Sequence, residues 1–328
     1  MIAFFVLLLY LLWRAYRYPP SAVVEVDTTA TIGLFDRSPI PDRARLRALA
    51  IAIVGMYAVS VAGLYVFWYR RSKISAFHWF DDRKEWNQID KAGHIYGGYF
   101  QTIWGYELLR WCGLSNKQAA VIGAILGTSI QSSIEAMDGY SSKWGASYSD
   151  LGANLTGALI AASQYWAWEE QRIMLKVSYD GTGNDYPKGE LAERASELFG
   201  DSYLDRGLKD YNNITIWASI NPSKFKEGVL PPWLCGSIGY SAKNLYGGFE
   251  NKWTDKDGNK HDRSDLPRLR VLNFSLDADL PKLSNGNKAE LGIFKMLNIF
   301  KVPFPRLNHS WEAAKVMNPN ANGWGRED

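Results

Sequence analysis

Two long apolar stretches near the N-terminus dominate the hydrophobic pattern of the chain. The first runs from Met1 to Trp13 and is followed by Arg14, Arg17 and two prolines. Its charges follow the apolar run, and no small-residue cleavage site is evident. It therefore predicts an uncleaved membrane helix of about 17 residues, spanning or lying partly in the interface, rather than a signal peptide. The second, Leu49 to Trp68, has 20 residues without a charge, which is long enough to cross hydrocarbon.

Basic residues flank the second stretch on both sides, so they do not set its orientation. They are Arg43, Arg45 and Arg47 before it, and Arg70, Arg71 and Lys73 after it. Tyr65, Trp68 and Tyr69 are typical of an aromatic belt at a membrane surface. If both helices span the membrane, the connector between them faces the cytoplasm. The bulk of the chain then lies on the periplasmic side of a bacterial membrane.

Three helix-like stretches with many small residues form the centre of the pattern. They run from about Asp90 to Trp111, from Lys117 to Met137 and from Asp150 to Trp168. Two glycine pairs in them have members four residues apart, Gly93 with Gly97 and Gly123 with Gly127. Such spacing lets helix backbones approach closely and is common inside membranes. The stretch after Lys117 has no charge before Glu135. A bilayer-embedded bundle and a tightly packed soluble bundle therefore both fit.

After Glu169 the chain becomes polar and mixed. Asp180 to Pro187, rich in Gly, Asn and Asp, predicts a loop. Three further segments predict strands and one predicts a helix: Ile214–Ile220, Leu234–Tyr240 and Arg270–Ala278, then Lys288–Phe300. The last strand alternates apolar and polar residues, with Leu272, Phe274 and Leu276 on one face. These segments predict either a small sheet on a membrane surface or the strands of a partial barrel.

The whole pattern predicts a mainly α membrane protein in three parts. Residues 1–75 form two N-terminal transmembrane helices and their connector. Residues 76–176 form a small-residue-rich helical bundle, and residues 177–328 form a mixed α+β region. No internal repeat is visible in the sequence.

Composition supports a membrane environment and argues against nucleic acid as a partner. The chain has 14 Trp, 18 Tyr and 14 Phe, and aromatics with a polar tip gather at membrane interfaces, although an aromatic-rich core is the alternative. With 37 basic and 34 acidic residues, a net charge of +3 and no basic run, nucleic acid is not expected as a partner. Cys112 and Cys235 match no metal-binding spacing.

Polar and ionisable residues form three groups, one on each predicted central helix. They are Asp90, Lys91 and His94; Gln131, Glu135 and Asp138; and Ser147, Asp150, Asn154 and Gly157. Steps of three or four residues place the members of a group on one helix face. Ionisable groups on apolar helices are costly unless they are paired, solvated or bound to a ligand. The three groups therefore predict one shared polar pocket.

The residue types in this pocket suit a divalent cation, and no other cofactor is evident. The expected metal ligands are His94, Glu135, Asp138 and Asp150. Lys91 can neutralise a phosphate or a carboxylate, and His94 can act as an acid or base. A structural role stays open, since Asp90 and Ser149 lie near predicted helix starts where short polar side chains cap the backbone.

At these residues the chain resembles a family of predicted bacterial periplasmic or envelope lipoproteins, the YfiM-like family. The resemblance rests on Asp90-Lys91-Ala92-Gly93-His94, on Glu135-Ala136-Met137-Asp138-Gly139, and on Ser147-Tyr148-Ser149-Asp150 with Asn154 and Gly157. Later segments such as Pro232-Trp233-Leu234 extend it, across most of residues 65–310, to a branch found in Bacteroidetes-type bacteria. A more distant likeness is to VanZ-like membrane proteins. No Cys follows the apolar stretches to accept a lipid, so a helical anchor is expected here.

Two functions from different classes are compatible with these features, and the resemblance implies no activity. The first is a binding or structural component of the envelope, in contact with membrane lipid and with other envelope subunits. The second is a membrane enzyme or transporter that acts on a lipid-linked or phosphorylated substrate through the His/carboxylate cluster. Whether the chain is an enzyme stays open. The sequence has no P-loop, nucleophile elbow or HExxH motif, which favours the first.

Overall fold

A computed structural model describes residues 33–66, 73–181 and 186–313. The predicted N-terminal membrane helix lies outside the described residues. The second predicted span is a helix, α1 (Arg43–Leu64), which begins earlier than expected because the Asp42 carboxylate accepts hydrogen bonds from the N–H groups of Ala44 and Arg45. The predicted end of this span, residues 67 and 68, also lies outside the described residues.

Most of α1 extends away from the rest of the protein. Leu46 and Leu49 are buried against the helical bundle, whereas Ile51, Met56 and Val59 are exposed. In its most apolar window, only 11% of the residues are buried. Among the described helices, α1 and α3 (Asn116–Asp138) are long and apolar enough to cross a membrane. In the most apolar window of α3, 44% of the residues are buried.

Three long helices pack against one another as a bundle, within one or two residues of the predicted bounds. They are α2 (Ile89–Trp111), α3 and α4 (Tyr148–Trp168). Ser115 and Gln118 form a capping box at the start of α3, and the Ser147 hydroxyl caps α4. The expected cap at Ser149 is thus two residues from the actual one. The bundle core is aromatic and aliphatic, and includes the stacked rings of Tyr106 and Tyr165.

Glycines allow the bundle helices to touch backbone to backbone. A methyl group on Gly157 of α4 would lie 1.8 Å from the carbonyl oxygen of Ile95 on α2. One on Gly127 of α3 would lie 2.7 Å from the carbonyl oxygen of Gly98 on α2. Of the predicted glycine pairs, Gly93 is not at a crossing, because a methyl group there would meet nothing within 4 Å. Residues without a side chain are therefore required where α2 crosses its two partners.

The C-terminal part is a mixed α/β region built on a five-stranded antiparallel sheet. Its strands are β1 (Ile173–Tyr179), β2 (Ile214–Ile220), β3 (Leu234–Lys243), β6 (Leu269–Ala278) and β7 (Arg306–Glu312), in the order β1-β2-β3-β6-β7. A separate hairpin consists of β4 (Lys252–Thr254) and β5 (Lys260–Asp262). The remaining helices are α5 (Glu190–Phe199), α6 (Tyr203–Lys209) and α7 (Lys288–Leu297).

Several of these elements were not expected from the sequence. They are β1, α5, α6, the hairpin strands β4 and β5, and β7. β1 runs through the predicted division between residues 176 and 177. The predicted helix at Lys288–Phe300 ends earlier, at Leu297. The predicted strands β2, β3 and β6 are present, the latter two slightly longer than expected.

The buried face of the sheet mixes polar and apolar side chains, and apolar side chains are exposed on the other face. In β6 the polar Asn273 and Asp277 are buried together with Val271, whereas Phe274 and Leu276 are 43% and 51% exposed. In the strand register Ile238 pairs with Phe274 and Phe274 with Leu307, so exposed apolar residues form a row across three strands. The alternation predicted for this strand is confirmed. The start of α2 packs near β2, where Ile89 shares a core with Ile214 and Ile216.

We expect Gly157→Ala to destabilise the protein by about 2 kcal/mol or more, because the added methyl group overlaps the Ile95 carbonyl and forces α2 and α4 apart. Gly152→Ala on the same helix is the matched control, since a methyl group there meets nothing within 4 Å. It should be neutral or stabilise by up to about 1 kcal/mol through helix propensity. Thermal unfolding of the two detergent-solubilised variants measures the difference. Equal midpoints would show that the crossing tolerates a side chain.

Candidate functional site: a polar cluster around His94

The polar cluster lies where the first turns of α2 and α4 meet the last turns of α3. The structure brings six of the predicted residues together there: Asp90, Lys91, His94, Glu135, Asp150 and Asn154. The segment before α2 contributes Asp82, whose carboxylate also contacts Lys91. The glycine crossings of α2 are what allow these three helix ends to approach so closely.

His94 is oriented by an amide and faces three carboxylates. Its Nδ1 lies 3.0 Å from the Oδ1 of Asn154, and since an amide oxygen only accepts, Nδ1 is the donor. Nε2 is then the ring nitrogen that faces the carboxylates. It lies 3.8 Å from Asp90 Oδ1, 3.7 Å from Glu135 Oε1 and 3.7 Å from Asp150 Oδ2. These distances are too long for hydrogen bonds.

Lys91 is the cation of the cluster. Its Nζ lies 2.7 Å from Asp82 Oδ2, 3.0 Å from Asp90 Oδ2 and 2.6 Å from Asp150 Oδ1. With Glu135, the cluster contains four carboxyl groups against one lysine and one histidine. Even with His94 protonated, four ionised carboxylates would leave net negative charge in a largely buried place. Such a place favours a further cation or bound protons.

Further hydrogen bonds hold the carboxylates in position. Asp90 Oδ1 accepts from the Tyr211 hydroxyl at 2.7 Å, and Glu135 Oε2 accepts from the Ser147 N–H at 3.1 Å. Asp82 Oδ1 accepts from the hydroxyl of Ser147 at 2.5 Å. Burial alone would raise the pKa of Asp82, but hydrogen bonding to Asp150 and the charge of Lys91 hold that pKa below its ordinary value.

Sequence reasoning missed two residues of the cluster. Asp82 lies in an irregular segment, where a carboxylate has no helical periodicity to indicate its partners. Tyr211 is 121 residues away from Asp90 along the chain, so no local pattern could connect them. The Asp81-Asp82 pair, eight residues before the predicted helix start at Asp90, was the available signal for Asp82. For Tyr211 there was none.

Three polar atoms of the cluster are buried without a hydrogen-bond partner in the described part of the chain: Glu135 Oε1, Asn154 Nδ2 and Asp150 Oδ1. Asp150 Oδ1 still has an ion pair with Lys91, whereas Glu135 and Asn154 are only 2% and 0% exposed. Leaving such atoms unpaired is costly, and in native proteins it calls for an explanation such as a bound ion or water. The cluster also opens on one side, where the side chains of His94 and Asp90 are 17% and 15% exposed. It is therefore not a closed and fully satisfied structural network.

The candidate metal ligands differ in part from those expected. Among the described residues, Asp90, His94 and Asp150 offer ligand atoms that all lie within 4.8 Å of one another. Asp90 was expected in the cluster but not as a ligand. Asp138 and Glu135, both expected as ligands, are not in this group, although Glu135 Oε1 lies 3.7 Å from His94 Nε2. Gln131 packs over Gly97, where its amide fills the space of the missing side chain.

A second histidine with carboxylate partners provides a useful contrast. His261 in β5 lies 2.9 Å from Glu190 through Nδ1 and 2.9 Å from Asp255 through Nε2, and stacks on Trp253. The hydrogen bonds to Asp255 and Glu190 raise the pKa of His261. Because both ring nitrogens are occupied, His261 offers no free ligand atom. His94 uses only Nδ1 in this way.

The fold and cluster together define a helical-bundle protein with a partly open His/carboxylate site, joined to an antiparallel sheet. Residues 78–166 match a family described as predicted periplasmic lipoprotein (DUF2279). This match is consistent with an envelope protein and supports the expected periplasmic location; the YfiM-like and VanZ-like relationships stay predictions. No curated protein and no solved structure matches the chain. The matched residues include the whole cluster except Tyr211.

We expect Lys91→Met to destabilise the protein by about 3 kcal/mol, because it leaves the carboxylates of Asp82, Asp90 and Asp150 buried without their cation. The control is Lys256→Met, an 85% exposed lysine paired with Glu197, which should cost less than about 1 kcal/mol. Chemical denaturation in the presence of a chelator compares the two. If the variants unfold at the same denaturant concentration, Lys91 does not hold the cluster together.

Proposed function

We propose that this protein is a membrane-anchored protein of the bacterial envelope whose helical bundle binds a divalent cation. The ligands are His94, Asp90 and Asp150, with Glu135 completing the set. The observation that carries the proposal is the arrangement of three carboxylate oxygens around the free ring nitrogen of His94, at 3.7 to 3.8 Å.

These separations suit ligands that share a metal ion. Four ligands at about 2.1 Å from a tetrahedral metal lie about 3.4 Å from one another. The observed distances from His94 Nε2 are only slightly longer. The ligand atoms of Asp90, His94 and Asp150 lie within 4.8 Å of one another, so a contraction would bring these three to one ion, with Glu135 Oε1 approaching as the fourth ligand. One imidazole with carboxylates suits a first-row divalent ion such as Zn²⁺ or Mn²⁺ better than Mg²⁺ or Ca²⁺, which prefer oxygen ligands alone.

The charge balance of the cluster and the hydrogen bonds that orient the ligands support the same interpretation. A dication would compensate the carboxylates that Lys91 alone does not balance, and Glu135 Oε1 would gain the partner that it lacks. Asn154 fixes the ring orientation of His94 through Nδ1. Tyr211 fixes Asp90 in the same way. Metal ligands in proteins are commonly oriented by such outer hydrogen bonds.

A membrane anchor is supported by the exposure of α1. This helix has 22 residues and is apolar on nearly all sides, and a helix apolar all round requires a nonpolar surrounding. The exposed basic residues Arg43 and Arg47 lie in its first turns, where they suit phospholipid headgroups. Arg45 instead donates to the carbonyl oxygens of Asp36 and Trp111. Membrane lipid is thus the partner of this part of the chain.

Catalysis at the same site is the second candidate function. It is favoured by the exposure of one side of the cluster, at His94, Asp90 and Lys91. A metal ion bound there could activate water or polarise a phosphoryl group, while Lys91 would offer a cation to a phosphorylated or lipid-linked substrate. Lys91 is, however, already in contact with three carboxylates, so binding is the function that the geometry supports better.

The test is the stoichiometry of Zn²⁺ and Mn²⁺ on the purified full chain, measured by native mass spectrometry and isothermal titration calorimetry. We expect one ion per chain. Its affinity should fall at least about 10-fold in His94→Gln and in Asp150→Asn, because each removes a ligand. His261→Gln is the matched control and should bind like the unsubstituted chain, since both ring nitrogens of His261 are already used.

Two outcomes would contradict the proposal. The first is an unsubstituted chain, folded by circular dichroism, that takes up neither ion. The second is binding that survives His94→Gln and Asp150→Asn but is lost in His261→Gln, which would move the site to the β4–β5 hairpin.

A further inference from the structure

The outward faces of α3 and α4 carry no charge and expose apolar side chains, and the exposed hydroxyls of Thr156 and Ser163 donate to carbonyls of their own helix. On α4, Leu155 and Leu159 are 48% and 55% exposed, and on α3 Val121 is 46% exposed. No charged residue lies between Asp150 and Glu169 on α4, or between Lys117 and Glu135 on α3. A contiguous surface of this kind is not left in water by a stable protein.

Aromatic side chains gather at one end of this surface. Trp79 stacks on Tyr148 with ring centroids 3.8 Å apart, and Phe77 contacts Trp79 at 5.4 Å and Tyr140 at 5.3 Å. These four side chains, here called the Tyr148 girdle, are all at least 43% exposed. They belong to the start of α4, the turn after α3 and the segment before α2. Three separate parts of the chain thus present exposed rings at one level.

A second aromatic group lies at the other end. It consists of Trp166, Trp168 and Phe225, here called the Trp166 girdle, and all three are exposed. The Lys117 ammonium lies 5.1 Å from the Trp166 ring, and the Arg172 guanidinium lies 5.0 Å from the Trp168 ring. Aromatic rings beside lysine and arginine are the combination found where a membrane protein meets phospholipid headgroups.

The separation of the two girdles matches the thickness of a bilayer. Tyr148 and Trp166 are 18 residues apart on one continuous helix, which corresponds to about 27 Å. The hydrocarbon core of a bilayer is about 30 Å thick. From the charge-free faces, the two girdles and their spacing, we infer that the outward faces of α3 and α4 lie in the hydrocarbon of a lipid bilayer.

The lipid explains features that a protein partner would not require. A protein interface can place charges and aromatic rings anywhere in its area, whereas here the cations lie at one girdle and the middle is uncharged. The positive charges of Lys117 and Arg172 are complementary to phosphate at the expected headgroup level. The same placement also fixes where the polar cluster lies relative to the bilayer, because Asp150 is two residues from Tyr148. It would lie beside a girdle, close to the boundary between lipid and water.

The test is nitroxide labelling of Leu155→Cys and Leu159→Cys in the full chain, reconstituted into vesicles of phosphatidylethanolamine and phosphatidylglycerol. Electron paramagnetic resonance then compares collisions of each label with oxygen, which enters hydrocarbon, and with a polar nickel complex, which does not. Tyr148→Cys reports the girdle and Lys256→Cys, at an 85% exposed lysine, reports water. The unsubstituted chain measures any labelling of the buried Cys112 and Cys235.

We expect the oxygen-to-nickel collision ratio to be several-fold higher at positions 155 and 159 than at position 256, with position 148 between them. Ratios at 155 and 159 equal to that at 256 would place the face in water and overturn the inference. Few collisions with either reagent would mean that protein, such as a second copy of the chain, covers the face, and would overturn it too. Val121→Cys on α3 repeats the measurement on the second helix, should either α4 variant fail to fold.

Discussion

The positive charge of Lys91 joins three parts of the chain at the polar cluster. Its ammonium contacts Asp82 before α2, Asp90 on α2 and Asp150 on α4. Three carboxylates can lie this close only because a cation stands among them. Tyr211 extends the network to the C-terminal region by donating to Asp90. The bundle and the sheet are therefore coupled through one electrostatic cluster, in addition to the apolar contacts of Ile89.

This cluster depends in turn on how closely the helices approach. Gly157 places the α4 backbone against the Ile95 carbonyl of α2, one turn from the residues that carry the polar groups. A side chain at that position would part the helices and separate His94 from Asn154, whose hydrogen bond is 3.0 Å long. The small residues thus position the polar ones. The recurrence of glycine and of short polar residues in the same motifs has this physical cause.

The sequence predicted what depends on local periodicity and missed what depends on distant partners. The bundle helices were found because their apolar and small residues repeat over about 20 positions. β1 was missed because Lys176 interrupts its apolar pattern. The partners that allow this lysine to be fully buried are Asp277, the Ala278 carbonyl and Asn298, all far along the chain. Asp90, His94 and Asp150 were predicted to share a pocket, whereas its completion by Asp82 and Tyr211 depends on tertiary contacts.

The unequal distribution of polar groups connects the candidate cation site with the proposed membrane placement. Asp90, His94, Glu135 and Asp150 all lie at the end of the bundle next to the Tyr148 girdle, while the middle of α3 and α4 is free of charge. Charges deep in hydrocarbon are far more costly than charges near its edge. A bilayer around the bundle would therefore tolerate this cluster only where it lies, and its partly exposed side would give an ion from the aqueous phase a short route to His94.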